Sequence, residues 1–235
     1  MLTDERGEFV AESLARQDPS LPLVVRYSNV AVGATAADFV GVSVGFSPSA
    51  SAVTSSFGSS IDAQRADEAQ FDLGEGPTVD AVASFVPIVV GDVVSGESLT
   101  RWPLAAPALS ATGIRSAFSF PLRVGGAQIG ALTAYRRTQG DISPSHYANG
   151  LVVSSLLTIA ILDEQAGASQ TEDSNPDPLS ISDARVHFAA GMVAEQLDIS
   201  IVEALVRLRG HAFVSGLTTR EVAEQVISRT VVIEK

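Results

Sequence analysis

Ile114-Arg-Ser-Ala-Phe-Ser-Phe-Pro-Leu-Arg-Val124 and Gln128-Ile-Gly-Ala-Leu-Thr-Ala-Tyr135 stand on either side of Gly125-Gly126. Two β-rich runs joined by a glycine pair predict a hairpin, with room for a bulge at the turn. Before it, Phe39-Val-Gly-Val-Ser-Val-Gly-Phe46 is valine-rich and partly alternating, which predicts a strand. Ala50–Phe57, after a turn at Pro48, and the apolar run Val86-Pro-Ile-Val-Val90 predict two more. Helices are expected over Thr3–Arg16, Pro22–Val32, Thr78–Ser84 and Ser143–Gln165, the last with Tyr147, Leu151, Val152, Leu156, Ile159 and Ala160 on a wide apolar face. The order is helix, helix, strand, strand, helix, strand, hairpin, helix. It predicts an α+β fold with an antiparallel sheet.

Residues 166–180 are small, polar and proline-marked, so they are expected to be a linker between a unit at 1–165 and one at 181–235. The second unit is expected to be three short helices. Ser200-Ile-Val-Glu203 and Thr218-Thr-Arg-Glu221 each match a capping box, and Leu217 and Val222 fit a hydrophobic staple across the second. Gly216 stands where a helix ends in a left-handed residue. Val186, Ala189, Ala190, Val193 and Leu197, then Ile201, Ala204, Leu205, Leu208 and Ala212, predict one buried stripe per helix.

The chain of 235 residues has 46% hydrophobic and 18% charged content, enough for a core and against disorder. It has no cysteine, which excludes disulfides, thiol nucleophiles and thiolate metal sites. Leu151–Leu162 is the longest apolar stretch and is short for a bilayer crossing. With no signal pattern at Met1-Leu-Thr-Asp-Glu, a cytoplasmic, non-membrane protein is expected. The net charge of −12 leaves no basic field for non-specific phosphate binding, so recognition of nucleic acid would rest on shape, stacking and a few arginines. No P-loop, hydrolase elbow or metal-ligand spacing is present, and no cofactor and no enzyme activity are expected. Gly74-Glu-Gly-Pro77 is expected to be a turn into a helix. His146 is expected to be exposed at a helix start.

Arg207 and His211, four apart, share a helix face; Arg185, His187 and Phe188 lie off the core stripe, and Arg220 opens the last helix. An exposed Phe188 beside arginines suits stacking on an unpaired RNA base, or packing against another protein surface.

Two resemblances extend this reading. Leu73-Gly-Glu-Gly-Pro77 with Ala81, Pro87-Ile-Val-Val-Gly-Asp92, Gly113-Ile-Arg-Ser116, Pro121-Leu122 and Ile129-Gly-Ala131 resemble a GAF domain, a sensing relative of the PAS fold. Val186-His-Phe-Ala-Ala-Gly-Met-Val193, Gln196-Leu197, Ala204-Leu-Val-Arg-Leu-Arg209 and Glu221-Val-Ala223 resemble an ANTAR domain, a helical RNA-binding module of bacterial antiterminators. The chain departs from that pattern at Phe188 and Ala190, where relatives carry glutamine and lysine. The resemblance implies an RNA-binding set of Arg185, His187, Phe188, Gly191, Arg207, His211 and Arg220, and a GAF pocket lined by Phe46, Phe57, Phe85, Trp102 and Phe118. Trp102, between Arg101 and Pro103, is the expected lid or surface contact. The implied function is signal-responsive transcription antitermination on a structured leader RNA, not DNA. A small-molecule ligand and a homodimer through the first and closing helices are expected partners. The alternative is a GAF signalling protein whose tail dimerises or docks on protein.

Overall fold

The computed structural model describes residues 2–45, 55–125, 127–168 and 178–233. Among them, β1 (Phe39–Val44), β2 (Ser55–Gly58), β3 (Ile88–Val90), β4 (Ser116–Val124) and β5 (Ala127–Arg136) form one antiparallel sheet in the order β2-β1-β5-β4-β3. The expected hairpin is β4–β5, and its register shifts between Leu122 and Arg123, the bulge its glycine pair allowed. The strand predicted over Ala50–Phe57 starts at Ser55 among the described residues; 46–54 lie outside them.

Alternation along the strands divides two cores. Val40, Val42, Phe118, Phe120, Leu122, Leu132 and Ala134 face α1 (Leu2–Ala15), α2 (Leu23–Thr35) and α7 (Pro144–Ala168). Phe39, Ala117 and Tyr135 face the other way, toward α3 (Ile61–Leu73), α4 (Pro77–Ser84), α5 (Gly96–Arg101) and α6 (Ala105–Ala111). The helix expected over Thr78–Ser84 is α4, and α3 before it was not anticipated. Gly74 (φ 70) closes α3 in the left-handed region and Pro77 starts α4. Helices α5 and α6 were not anticipated; both are too short to show a period.

Helix α7 buries Val153, Leu157 and Ile161, spaced by four, while Leu151 and Ile159 of the expected core face stay 39% and 53% exposed. The Asn149 amide donates to the Ala34 carbonyl (2.9 Å) and its carbonyl accepts from Arg6 Nε (3.0 Å), tying α7 to α2 and α1. From Pro144 to Glu164 this helix is long and apolar enough to cross a bilayer (mean hydropathy 1.4), which Leu151–Leu162 alone did not suggest; 33% of that window is buried.

The C-terminal unit is α8 (Pro178–Leu197), α9 (Ile201–Ser215) and α10 (Thr219–Ile227) around Ala189, Val193, Leu205, Leu208 and Val222. Within the expected linker 166–180, α7 runs on to Ala168 and α8 opens with Pro178, a residue suited to a first helical turn. Residues 169–177 lie outside the described set. The capping box is reciprocal at Thr218, while Ser200 accepts from the Glu203 amide (3.2 Å) and the Glu203 carboxylate pairs with Arg207 (3.1 Å). Ile201, expected in the core stripe, is 53% exposed because it opens α9 ahead of the packed turns.

Candidate functional site: a buried polar cluster and a helical groove

Helix α3 turns Ala63, Ala66, Asp67, Gln70 and Phe71 inward. Two of these are polar, and the strands answer them with polar residues on the same face, Ser43, Ser119, Thr133 and Tyr135. Proline at the start of α4 brings Thr78 into the same space. The Asp67 carboxylate accepts from the Ser43 hydroxyl (3.1 Å), the Thr78 hydroxyl (3.2 Å) and the Tyr135 hydroxyl. Gln70 donates to Tyr135 Oη (2.7 Å) and accepts from the Thr78 amide (2.8 Å). The Thr78 and Thr133 hydroxyls lie 2.9 Å apart, and Thr133 donates to Ser119 (3.0 Å).

Every member of this cluster is fully buried, and none is a cation. Burial pushes the Asp67 carboxyl from 3.8 up to about 7; its hydroxyl partners pull it back and the nearby Glu68 charge adds to the rise. Burial, then the neighbouring carboxylate, lifts Tyr135 well above 10. The cluster can take up a proton near neutrality. It pairs no hydroxyl with a histidine, and among the described residues no set of His, Asp and Glu is placed to hold a metal ion.

The turn Gly74-Glu-Gly-Pro77 braces the same face. The Glu75 carboxylate accepts from the main-chain amides of Leu104 (2.6 Å) and Ala105 (2.9 Å), so it caps α6. Gly76 sits at φ 130, where a Cβ would run into Gln70. Trp102 is no lid: it is 3% exposed, and its indole donates to Asp80 (3.1 Å), which also binds Arg101. The expected pocket aromatics do not converge. Phe57 and Phe118 face α2 and α7, Trp102 lies across the sheet, and Phe85 caps α4 half-buried at φ 63. The sheet stands between Trp102 and the pair Phe57 and Phe118. Phe46 lies outside the described residues. On the Trp102 side, a cleft of about 430 Å³ beside β3 is lined by Val89, Asp92, Ser95, Arg101 and Asp141.

In the C-terminal unit, His187, Phe188 and Gly191 line one groove of about 720 Å³ with Met192, Val226 and Arg229. Phe188 is 61% exposed. Arg185 and Arg220 meet at Glu224 (2.8 and 3.9 Å). Arg207 lies one turn before His211 on α9. The sequence reading missed Arg229, which holds a left-handed conformation (φ 58) just past α10, as it missed Asp67 and Tyr135. A buried-face aspartate on α3 opposite strand hydroxyls was the available signal.

No model of a known protein family matches the chain, and comparison with curated proteins finds no match. Solved structures do match. The GAF domain of an Acinetobacter phosphoenolpyruvate-protein phosphotransferase covers 72% of this chain and 98% of its own length, at 12% identity and TM-score 0.50. The five-stranded sheet has the GAF fold. The corresponding GAF domain from Coxiella burnetii (71% and 96% covered, 11% identity, TM-score 0.49) is similar. So is a domain of a putative two-component sensor histidine kinase from Sinorhizobium meliloti (65% and 99%, 20%, 0.48). Within this GAF fold, the Asp67 cluster fills the space between the sheet and α3–α4.

Proposed function

We propose that this chain is a signal-responsive regulator in which the GAF unit controls an ANTAR-type RNA-binding unit, acting in the cytoplasm by antitermination on a structured leader RNA. The carrying observation is Phe188, 61% exposed in a groove with His187 and Arg229. An aromatic face beside an arginine and an imidazole suits an unstacked base, and so offsets the missing basic field. The GAF unit is proposed to sense a small molecule or partner and to have no catalytic role. A homodimer is proposed through α1 and α7, where Phe9 (49%), Leu151 (39%) and Ile159 (53%) leave an apolar surface. Two RNA-binding units per dimer raise the effective concentration at paired hairpins.

The test is binding of tandem-hairpin RNA by the full chain, against a duplex of equal charge, across a salt titration. Hairpin-selective binding that weakens with salt supports the reading. Equal binding to both RNAs, or none, overturns it.

A second reading rests on α9, where Val202 (42%), Val206 (59%) and Phe213 (62%) form an exposed stripe at i, i+4 and i+11. It makes the tail a protein-docking or dimerisation element, whose association would resist salt.

A further inference from the structure

Helix α3 has a second face. Arg65, Glu68 and Asp72 recur at i, i+3 and i+7 on the side away from the sheet, and this side meets the C-terminal unit. The main-chain N–H of Thr219, first residue of α10, donates to Asp72 Oδ1 (3.3 Å). Burial raises the Asp72 carboxyl; Thr219 and the Arg209 charge pull it back, and Glu221 adds to the rise. Glu68, also raised by burial and by Asp72, is drawn back by Arg220 and Arg65. Burial lowers the Arg209 guanidinium, and Asp72 opposes that fall. The direct contact is the Asp72 carboxylate on the first N–H of α10, where α3 meets the C-terminal unit, and the charges of Arg209 and Arg220 reach Asp72 and Glu68 from that unit. Those arginines and that helix start are groups to which a phosphate backbone binds.

We propose that α3 and RNA compete for the C-terminal unit, with Glu68 and Asp72 occupying in the closed form the positive groups that RNA phosphates take in the open form. The inference rests on the RNA-binding reading above and supplies its regulation. Helix α3 also carries Asp67 and Gln70 on its inner face, so a change in the GAF core and the hold on the C-terminal unit act on the same helix. A signal that moves α3 thereby shifts the balance between the two forms.

The test uses the full chain with Glu68→Gln and Asp72→Ala together. Two readouts are taken, amide hydrogen exchange of residues 219–223 without RNA and affinity for tandem-hairpin RNA. Glu5→Gln with Glu8→Gln, both exposed on α1, controls for the loss of two negative charges. The expected result is faster exchange and roughly tenfold tighter RNA binding, as for a protein about nine-tenths closed, with the control unchanged in both. Unchanged exchange overturns the docking. Faster exchange with unchanged affinity, in a chain that binds RNA, overturns the competition and leaves the RNA reading standing. Absence of RNA binding in every form removes the RNA reading and this inference with it.

Discussion

The Tyr135 hydroxyl donates to the Asp67 carboxylate across the gap between β5 and α3, with both residues fully buried. Because the carboxyl stays raised to about 7 from 3.8, the folded chain holds a proton that the unfolded chain releases. Stability from this group is complete below pH 4 and lost as pH rises toward 7. The loss is at most about 4 kcal/mol at 1.36 kcal/mol per pH unit. Urea midpoints of the wild type should fall between pH 4 and 7, and Asp67→Asn should remove that part of the slope. Parallel pH profiles for the two proteins would refute the assignment.

Two glycine substitutions should have opposite signs. A Cβ on Gly150 would run into the Phe120 ring, so Gly150→Ala should destabilise by about 1–3 kcal/mol. Gly191 lies inside α8 with open space at its Cβ, so Gly191→Ala should stabilise by about 0.5–1 kcal/mol through helix propensity. Thermal unfolding of the two variants decides it. A stabilised Gly150→Ala would mean that α7 packs differently on the sheet.

Glu75→Ala removes the acceptor of two α6 amides and should cost about 1–2 kcal/mol. Trp102, the single tryptophan of the chain, precedes α6 and is buried, so its emission should shift to the red in this variant. An unmoved spectrum together with unchanged stability would count against the cap.

Phe188→Ala should leave stability within about 0.5 kcal/mol, because the ring is 61% exposed. Hairpin affinity should fall by about 1–3 kcal/mol, the worth of one base–aromatic stack. Wild-type affinity in the variant would move the RNA contact off this groove.

The C-terminal helices were readable because their signals are local. Thr218, Glu221 and Gly216 each act within one turn of the chain, and all stand where the spacing put them. The β4–β5 hairpin was readable for the same reason. The pocket aromatics were not, since long-range packing puts Phe57 and Phe118 on one face of the sheet and Trp102, at the end of α5, on the other. Asp67 and Tyr135 meet only after α3 has packed on a completed sheet. Helix α5 did carry a signal, Ser95 accepting from the Ser98 amide (3.1 Å), but six residues show no period.

The sheet order has a consequence for how the chain acquires its shape. Strand β5 lies in the centre, yet it is the last strand in sequence, and Phe39 of β1 waits for Tyr135 as its partner. Closing a contact across roughly a hundred residues makes this a slow, non-local folding step. During synthesis β1 has no neighbour on that side until residue 136 has left the ribosome, so a fragment ending before it should not fold. The helices of 178–233 meet partners a few turns away and face no such delay.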